Sequence, residues 1–178
     1  HPCQAMADFM TILETKKSLR NLKIAYVGDG NNVAHSLLLA AAKLGAHIAL
    51  GTPAGYHPDE GIVARGMAIA AGTGARIDLT DDPAEAVRGA GVVYTDTWTS
   101  MGEEEEAAVR RRVFAPYQVN RALFARADQA AVFMHCLPAH RGEEVTDEII
   151  DSPASVVFQQ AENRLHVQKA IMLGLLGN

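Results

Sequence analysis

Short apolar runs alternate with longer stretches of helical apolar spacing along almost the entire chain. Each run is brief and rich in β-branched, aromatic or other large apolar residues, a pattern typical of buried strands. Strands are therefore predicted at 23–27, 47–50, 76–79, 92–95 and 130–134, with a last short one at 156–158.

Between these runs, apolar residues recur every three or four positions, which is the spacing of one helix face. This spacing predicts helices over about 1–17, 34–44, 59–73, 82–87, 103–113, 120–125, 146–150 and 161–176. Residues that commonly start or end helices mark several of these boundaries: Pro2, Gly45, Asp82 and Asn120.

The alternation predicts one α/β domain over residues 1–178. Strands separated by helical stretches form a parallel sheet covered on both faces, with right-handed crossovers. We expect a doubly wound, Rossmann-like parallel sheet flanked by helices, with an extra helix at each end of the chain.

Charge and composition narrow the possible partners. A net charge of −5 without a basic run argues against a nucleic-acid-binding surface, and no apolar run reaches the length of a membrane span. The two cysteines, Cys3 and Cys136, are far apart, so no disulfide framework is expected and a reducing, cytoplasmic compartment fits. The chain begins with His1 at the edge of a predicted helix, so we expect it to be part of a longer protein.

Three polar segments follow predicted strands, at 28–32, 96–102 and 135–142. Because parallel strands end at one edge of the sheet, these segments should open onto the same crevice, where ligands of α/β proteins bind. Their convergence predicts a binding site at that edge.

The first segment combines glycines with amide side chains. Gly28 and Gly30, between a strand and a helix, suggest a dinucleotide-binding turn, but the third glycine is missing and Asp29 would repel a pyrophosphate. The amides of Asn31 and Asn32 instead offer hydrogen bonds to a carboxylate or an amine, although asparagine also suits a plain turn.

A carboxylate and a guanidinium are further candidates for ligand binding. Asp96 follows a buried strand, where it can hold a cationic amine or form a local turn. Arg164, in the first turn of the last predicted helix, can reach a phosphate or carbonyl oxygen, or pair with Glu162 or Asp151. The acidic run 103–106 is favoured at a helix start and indicates a solvated surface rather than a metal site.

The third segment holds the most reactive groups. Cys136 can act as a nucleophile, a metal ligand or a polar pocket wall, or simply be a buried thiol. The bond between Leu137 and Pro138 is of the kind that adopts the cis form most readily. His135 and His140 flank the cysteine without the ligand spacing of a zinc site, so no metal is expected.

Five motifs occur in order along the chain: His1-Pro2-Cys3-Gln4, Gly28-Asp29-Gly30-Asn31-Asn32, Asp96-Thr97-Trp98-Thr99-Ser100-Met101-Gly102, His135-Cys136-Leu137-Pro138 and Glu162-Asn163-Arg164. Together they resemble the carboxyl-terminal, ornithine-binding domain of ornithine carbamoyltransferases of the anabolic type, over essentially the whole chain. The motif at 135–138 and the motif at 96–102 are specific to the ornithine branch of the family. Cys3 departs from the Thr or Ile of many members, at a position that the family does not use for chemistry.

The resemblance implies transfer of a carbamoyl group from carbamoyl phosphate to the δ-amine of L-ornithine, giving L-citrulline and phosphate in arginine biosynthesis. It assigns ornithine binding to Asn32, Asp96, Ser100 and Met101. It assigns carbamoyl phosphate binding to His1, Gln4, Cys136, Leu137 and Arg164, and catalysis to Cys136, Asp96, Arg164 and His1. In this scheme Cys136 orients or deprotonates the amine, and the Leu137 carbonyl accepts from the carbamoyl NH₂ beside a cis bond.

The resemblance also implies partners beyond this chain. The family grips phosphate with a Ser-Thr-Arg-Thr helix start and a further arginine in an amino-terminal domain, and this sequence has no such run. That domain also carries the trimer contacts, so we expect a homotrimer for the full-length protein and little or no activity from this chain alone. No cofactor, metal, nucleic acid or membrane is expected to take part. The apolar face of the last helix should be exposed.

Other functions fit parts of the pattern. A putrescine or N-acetylornithine carbamoyltransferase is the nearest, with Asp96, Ser100 and Met101 favouring ornithine. A non-catalytic amino-acid-binding module would keep the pocket without the chemistry. A dinucleotide-dependent dehydrogenase would need an acidic residue after the second strand, where this chain has Gly51 and Thr52.

Overall fold

A five-stranded, fully parallel sheet forms the centre of the protein, in a computed structural model that describes residues 1–99 and 104–177. Its spatial order is β3-β2-β1-β4-β5. The strands are β1 (Lys23–Val27), β2 (His47–Gly51), β3 (Arg76–Thr80), β4 (Val92–Thr95) and β5 (Val132–His135). The strands predicted at these five positions are confirmed.

Helices cover both faces of this sheet. Those described are α1 (Pro2–Lys16), α2 (Asn32–Leu44), α3 (Glu60–Thr73), α4 (Pro83–Val87), α5 (Ala107–Phe114), α6 (Arg121–Phe124), α7 (Asp147–Ile150) and α8 (Val157–Leu176). Short 3₁₀ turns at Glu104–Glu106 and Ala115–Tyr117 flank α5. None of the described helices combines the length and apolar character needed to cross a membrane.

Alternate residues of each central strand enter two separate cores. On β1, Ile24 and Tyr26 pack with residues of α1, α2 and α3, whereas Ala25 and Val27 pack with residues of α4, α6 and α7. A strand buried on both faces must be apolar at nearly every position, which explains the continuous apolar runs of the sequence. The arrangement confirms the doubly wound, Rossmann-like fold.

The order of the strands reverses between β1 and β4. The chain first builds outwards from β1 to β2 and β3, and then returns to place β4 and β5 on the other side. In open α/β sheets such a reversal leaves a crevice at the carboxyl ends of the two central strands. The loops after β1 and β4 therefore flank the position where a ligand is expected.

The loop after β1 is held against the loop after β2. The backbone N–H of Gly30 donates to the Tyr56 carbonyl at 2.9 Å, and a Cβ at Gly30 would lie only 2.3 Å from the backbone nitrogen of Pro58. The lack of a side chain at Gly30 therefore allows two loops to pack closely, and it is not explained by a pyrophosphate approaching the backbone.

The strand predicted at 156–158 is wrong. Ser155 forms an isolated parallel bridge with Phe133, and α8 begins at Val157, four residues earlier than predicted. The helix buries Val157 and Gln160, three positions apart, against its neighbours. This tertiary packing outweighs the β propensity of the local sequence.

Two helix starts differ from the prediction for local reasons. α2 begins at Asn32, two residues earlier than predicted, because the Asn31 side chain accepts hydrogen bonds from N–H groups of the first turn. The start predicted at Glu103 lies outside the described residues. The chain then forms the 3₁₀ turn before α5 begins at Ala107.

Replacing Gly30 by alanine should destabilise the protein, because the new methyl group would collide with backbone atoms. We expect the free energy of unfolding in urea to fall by about 1–3 kcal/mol, the usual cost of overpacking. Gly72→Ala on α3 is the matched control. It adds a methyl group with no neighbour within 4 Å and should raise stability by up to about 1 kcal/mol. Equal stability of the two variants would contradict the tight contact between the loops.

Candidate active site

A pocket of about 790 Å³ opens at the carboxyl edge of the sheet, where the loops after β1, β4 and β5 meet. Its wall contains every predicted site residue that the structure describes: His1, Gln4, Asn32, Asp96, Cys136, Leu137 and Arg164. The other two, Ser100 and Met101, lie outside the described residues. Because α1 and α8 contribute to the wall, the strand ends and both extra helices build one site.

The Asp96 carboxylate is the centre of the hydrogen bonds that join the three loops. Its Oδ2 accepts from Nδ2 of Asn31 at 2.8 Å, and its Oδ1 accepts from the Cys136 thiol at 3.0 Å and from the Thr97 N–H at 2.8 Å. The first two bonds reach the loops after β1 and β5, so Asp96 does more than shape a local turn. It is buried yet borders the pocket, where its charge can hold a cationic amine.

The Cys136 side chain is held as a neutral thiol. Burial raises its pKa well above the usual range, and the negative charge of Asp96 together with their hydrogen bond raises it further. A thiol in this state is a poor base and a weak nucleophile. The geometry therefore favours a role for Cys136 in orienting an amine over deprotonation by a thiolate.

Asn31 and Asn32 are adjacent but differently engaged. Asn31 caps α2 through Oδ1 and contacts Asp96 through Nδ2, so both ends of its amide are used within the protein. Asn32 is exposed at the pocket wall, and its side chain makes no hydrogen bond to another described residue. Of the two amides, Asn32 is the one placed to bind a ligand.

Arg164 faces α1 rather than an acidic partner on the surface. Its guanidinium donates to Oε1 of Gln4 at 3.1 Å. The alternative ion pairs with Glu162 or Asp151 are not formed between these described residues, and Asp151 pairs with Arg141 instead. The predicted position of Arg164 in the first helical turn is wrong, because α8 begins seven residues before it.

Sequence reasoning missed how His135 and Glu144 hold the turn after β5. Nδ1 of His135 accepts from the Leu137 N–H at 2.8 Å, so Nε2 carries the ring proton and donates to Glu144 at 3.2 Å. Both side chains are fully buried, and Leu137 adopts a φ of 57° before the cis bond to Pro138 that the resemblance implied. Nothing in the sequence marks Glu144, which lies in an ordinary polar segment.

Arg110 on α5 is a second buried charge that the sequence did not reveal. It pairs with Asp29, donates to the Trp98 carbonyl and lies over the ring of Tyr56 at 4.9 Å. These contacts join the loops after β1, β2 and β4 behind the pocket. From the sequence, the Asp29 carboxylate was expected only to repel a pyrophosphate. In the structure it is the ion-pair partner of Arg110.

Two groups of described side chains have the spacing of metal ligands: Asp96, His135 and Cys136 form one, and His140, Glu143 and Glu144 form the other. In the first group Cys136 keeps its proton and donates it to Asp96 in a hydrogen bond. In the second, Glu143 pairs with Arg111 at 2.9 Å. Several of the atoms that a metal would need are thus engaged within the protein, and the geometry gives no positive argument for a metal.

The fold and the pocket define an α/β ligand-binding domain, and comparison with known proteins identifies its family. The pattern of the family described as "Aspartate/ornithine carbamoyltransferase, Asp/Orn binding domain" matches residues 20–175. The chain belongs to this family.

Individual relatives share both sequence and structure with the chain. The ornithine carbamoyltransferase of Thermococcus kodakarensis is 58% identical, and the anabolic ornithine carbamoyltransferase of Pyrococcus furiosus is 56% identical, each over 99% of this chain. The solved structure of the Pyrococcus furiosus ornithine carbamoyltransferase matches with a TM-score of 0.93 at 57% identity, covering 97% of this chain and 55% of that one. The solved structure of the Gloeobacter violaceus ornithine carbamoyltransferase matches with a TM-score of 0.89 at 52% identity, and the match covers 97% of this chain and 57% of that one. The chain spans 56% of the length of the two curated relatives.

The Cys136 thiol should react slowly with Ellman's reagent. In a Cys3→Ser chain at pH 8, we expect a rate at least about tenfold below that of free cysteine, because each unit by which the pKa rises lowers the thiolate fraction tenfold. Adding Asp96→Asn should speed the reaction, since the negative charge is removed. The control is Cys3 in a Cys136→Ser chain, whose rate Asp96→Asn should not change. Reaction of Cys136 at the rate of free cysteine would refute the neutral-thiol assignment.

Proposed function

We propose that this chain is the ornithine-binding domain of an ornithine carbamoyltransferase. The reaction transfers the carbamoyl group of carbamoyl phosphate to the δ-amine of L-ornithine and yields L-citrulline and phosphate, a step of arginine biosynthesis that we place in the cytoplasm. The observation that carries the proposal is the buried Asp96 carboxylate at the pocket wall, bonded to Asn31 and Cys136 and beside Asn32.

The ornithine side of the proposed site uses complementary charge and amide groups. The Asp96 carboxylate holds the α-amino cation, since a charge-assisted hydrogen bond is strong in a partly dry pocket. The Asn32 amide, exposed at the wall, binds the α-carboxylate end. Ser100 and Met101 complete this set in the proposal and lie outside the described residues.

The carbamoyl side lies between β5, α1 and α8. The neutral amine nitrogen attacks the carbamoyl carbon, the carbon–oxygen bond to phosphate breaks, and the nitrogen passes its excess proton to the departing phosphate. An amine has an unperturbed pKa above 10, so it must be deprotonated before attack, and the Cys136 thiol helps to orient it. Arg164 donates to the carbonyl oxygen as negative charge develops there.

The remaining carbamoyl contacts in the proposal come from groups that border the same pocket. The Leu137 carbonyl accepts from the carbamoyl NH₂, and His1 and Gln4 hydrogen-bond the carbamoyl group. Gln4 is already bonded to Arg164, so the two side chains meet the substrate as a unit. No cofactor or metal has a part in this scheme.

The proposed activity requires residues beyond this chain. We propose that an amino-terminal domain supplies the grip on phosphate and the contacts of a homotrimer. The chain's share of its relatives' length supports this, as does a cluster of exposed apolar side chains near the end of α8: Met172, Leu173, Leu175 and Leu176. Covering such a patch would remove apolar surface from water.

Two nearer alternatives fit the pocket less well. Putrescine has no α-carboxylate for Asn32 to bind. N-acetylornithine has an amide in place of the α-ammonium group, so it would leave the Asp96 charge without a cationic partner. A non-catalytic amino-acid-binding module would use the same pocket, and the activity assay separates it from an enzyme.

Citrulline formation tests the proposal. The assay compares this chain alone with a joined enzyme, in which the chain is fused to the portion of the Pyrococcus furiosus relative that the match leaves uncovered. We expect citrulline from the joined enzyme and little or none from the chain alone. Asp96→Asn should lower kcat/KM for ornithine about 100-fold or more, since losing one partner of a buried charge pair costs about 2–5 kcal/mol.

Asp59→Asn is the matched control for this assay. It makes the same change in charge at the start of α3, where asparagine replaces aspartate well as a helix cap, and it should leave kcat/KM unchanged. Binding of ornithine by the joined enzyme without turnover would favour the non-catalytic module. A preference for putrescine or N-acetylornithine would reject ornithine as the substrate.

A further inference from the structure

Asp8 on α1 is fully buried and carries three hydrogen bonds from side chains of three elements. Its Oδ1 accepts from Nε2 of Gln4 at 2.9 Å and from Nε2 of Gln160 at 2.7 Å, and its Oδ2 accepts from the Tyr94 hydroxyl at 3.1 Å. The donors belong to α1, α8 and β4. The carboxylate therefore lies where the helix at each end of the chain meets the sheet, behind the pocket.

Burying this carboxylate has a cost that the network only partly offsets. Burial raises the pKa of Asp8, while the hydrogen bonds and the more distant charge of Arg164 lower it, and the net pKa is about 6. The negative charge of Asp8 in turn contributes to raising the pKa of Tyr94 on β4 and that of Cys136 after β5, for both of which burial is the main cause. Burying a neutral side chain would cost less free energy than burying this carboxylate. We therefore explain the carboxylate by the orientation that it imposes on its hydrogen-bond donors.

The carboxylate fixes the orientation of the Gln4 amide. Because Asp8 in its ionised form only accepts, Gln4 must point its NH₂ group at Asp8 and its oxygen away from it. That oxygen accepts from the Arg164 guanidinium at 3.1 Å. If the amide were turned over, its NH₂ would face another donor, and Arg164 would lose this support.

The same carboxylate fixes the Gln160 amide. Gln160 donates to Asp8 and to the Tyr94 hydroxyl, which leaves its oxygen free to accept from the His135 backbone N–H at 3.0 Å. His135 is the last residue of β5 and precedes Cys136 directly. One acceptor thus orients two amides, of which one contacts Arg164 in the pocket wall and the other contacts the residue before Cys136.

We propose that Asp8 is a positioning residue for carbamoyl transfer, which sets the Arg164 guanidinium through Gln4 and the end of β5 through Gln160. Its ionised carboxylate acts on the carbamoyl side of the pocket, away from Asn32. The expected effect of Asp8 on kcat rests on the proposed function. The orientation of the two amides by Asp8 does not, and it can be tested on this chain alone.

Asp8→Leu is the direct test, because it keeps the approximate size of the side chain and removes both acceptor oxygens. In the joined enzyme we expect kcat to fall about 10- to 100-fold, the usual consequence of misplaced catalytic groups, with KM for ornithine changed by less than about twofold. Thr11→Val is the matched control on the same α1–α8 interface. It removes the oxygen that accepts from Asn163, one turn further from the pocket, and should leave kcat unchanged while lowering stability.

Nuclear magnetic resonance of this chain tests the geometry without any activity. The side-chain NH₂ groups of Gln4 and Gln160 should exchange with water at least about tenfold more slowly than that of the exposed Gln129. Asp8→Leu should abolish this protection, because it leaves both NH₂ groups without their acceptor, and Thr11→Val should keep it. If Asp8→Leu does not fold, Tyr94→Phe removes only one of the three donors and should loosen Gln160 measurably.

The outcomes separate the two proposals. A joined wild-type enzyme that makes no citrulline rejects the proposed function, and the exchange rates then still decide whether Asp8 orients the amides. An active joined enzyme in which Asp8→Leu lowers kcat no more than Thr11→Val does overturns the positioning role. Unchanged exchange of Gln4 and Gln160 in the Asp8 variant, or of Gln160 in the Tyr94 variant, also overturns it.

Discussion

The pocket depends most on the hydrogen bonds that the Asp96 carboxylate accepts. The sheet brings the ends of β1, β4 and β5 to one edge, but a shared edge alone does not fix side chains to within an ångström. Asp96 does so by accepting from Asn31 on one side and Cys136 on the other. Burial raises the pKa of the Cys136 thiol most, and the charge and hydrogen bond of Asp96 raise it further, so Asp96 affects both the geometry and the chemical state of the site. Changing this carboxylate would alter both.

Much of the architecture follows from short-range patterns in the sequence. The continuous apolar runs predict strands buried on both faces, and their alternation with helices predicts a parallel doubly wound sheet. Because parallel strands end together, the polar residues after three of them were expected to meet, and Asn32, Asp96 and Cys136 do border one pocket. The position of the site is therefore a consequence of strand direction, which the sequence reveals well.

The remaining features depend on contacts between residues far apart in the chain. The run at 156–158 has strand-forming residues, yet α8 starts within it because Val157 packs into the core. The buried charges Arg110 and Glu144 lie in segments whose composition resembles solvated surface, and Asp8 is a single acidic residue among the apolar residues of α1. Their burial is decided by partners on other elements, and no local pattern encodes it. Hydrogen bonding likewise separates Asn31 from Asn32, two residues that the sequence presents as equivalent.

A crystal structure of the joined enzyme with L-ornithine and inorganic phosphate would test the central claim most directly. We predict that the amino acid occupies the pocket at the carboxyl edge of the sheet. Its α-ammonium group should lie within hydrogen-bond distance of the Asp96 carboxylate and its α-carboxylate beside the Asn32 amide. Ornithine bound at another surface, or bound in this pocket with its α-ammonium group away from Asp96, would contradict the account.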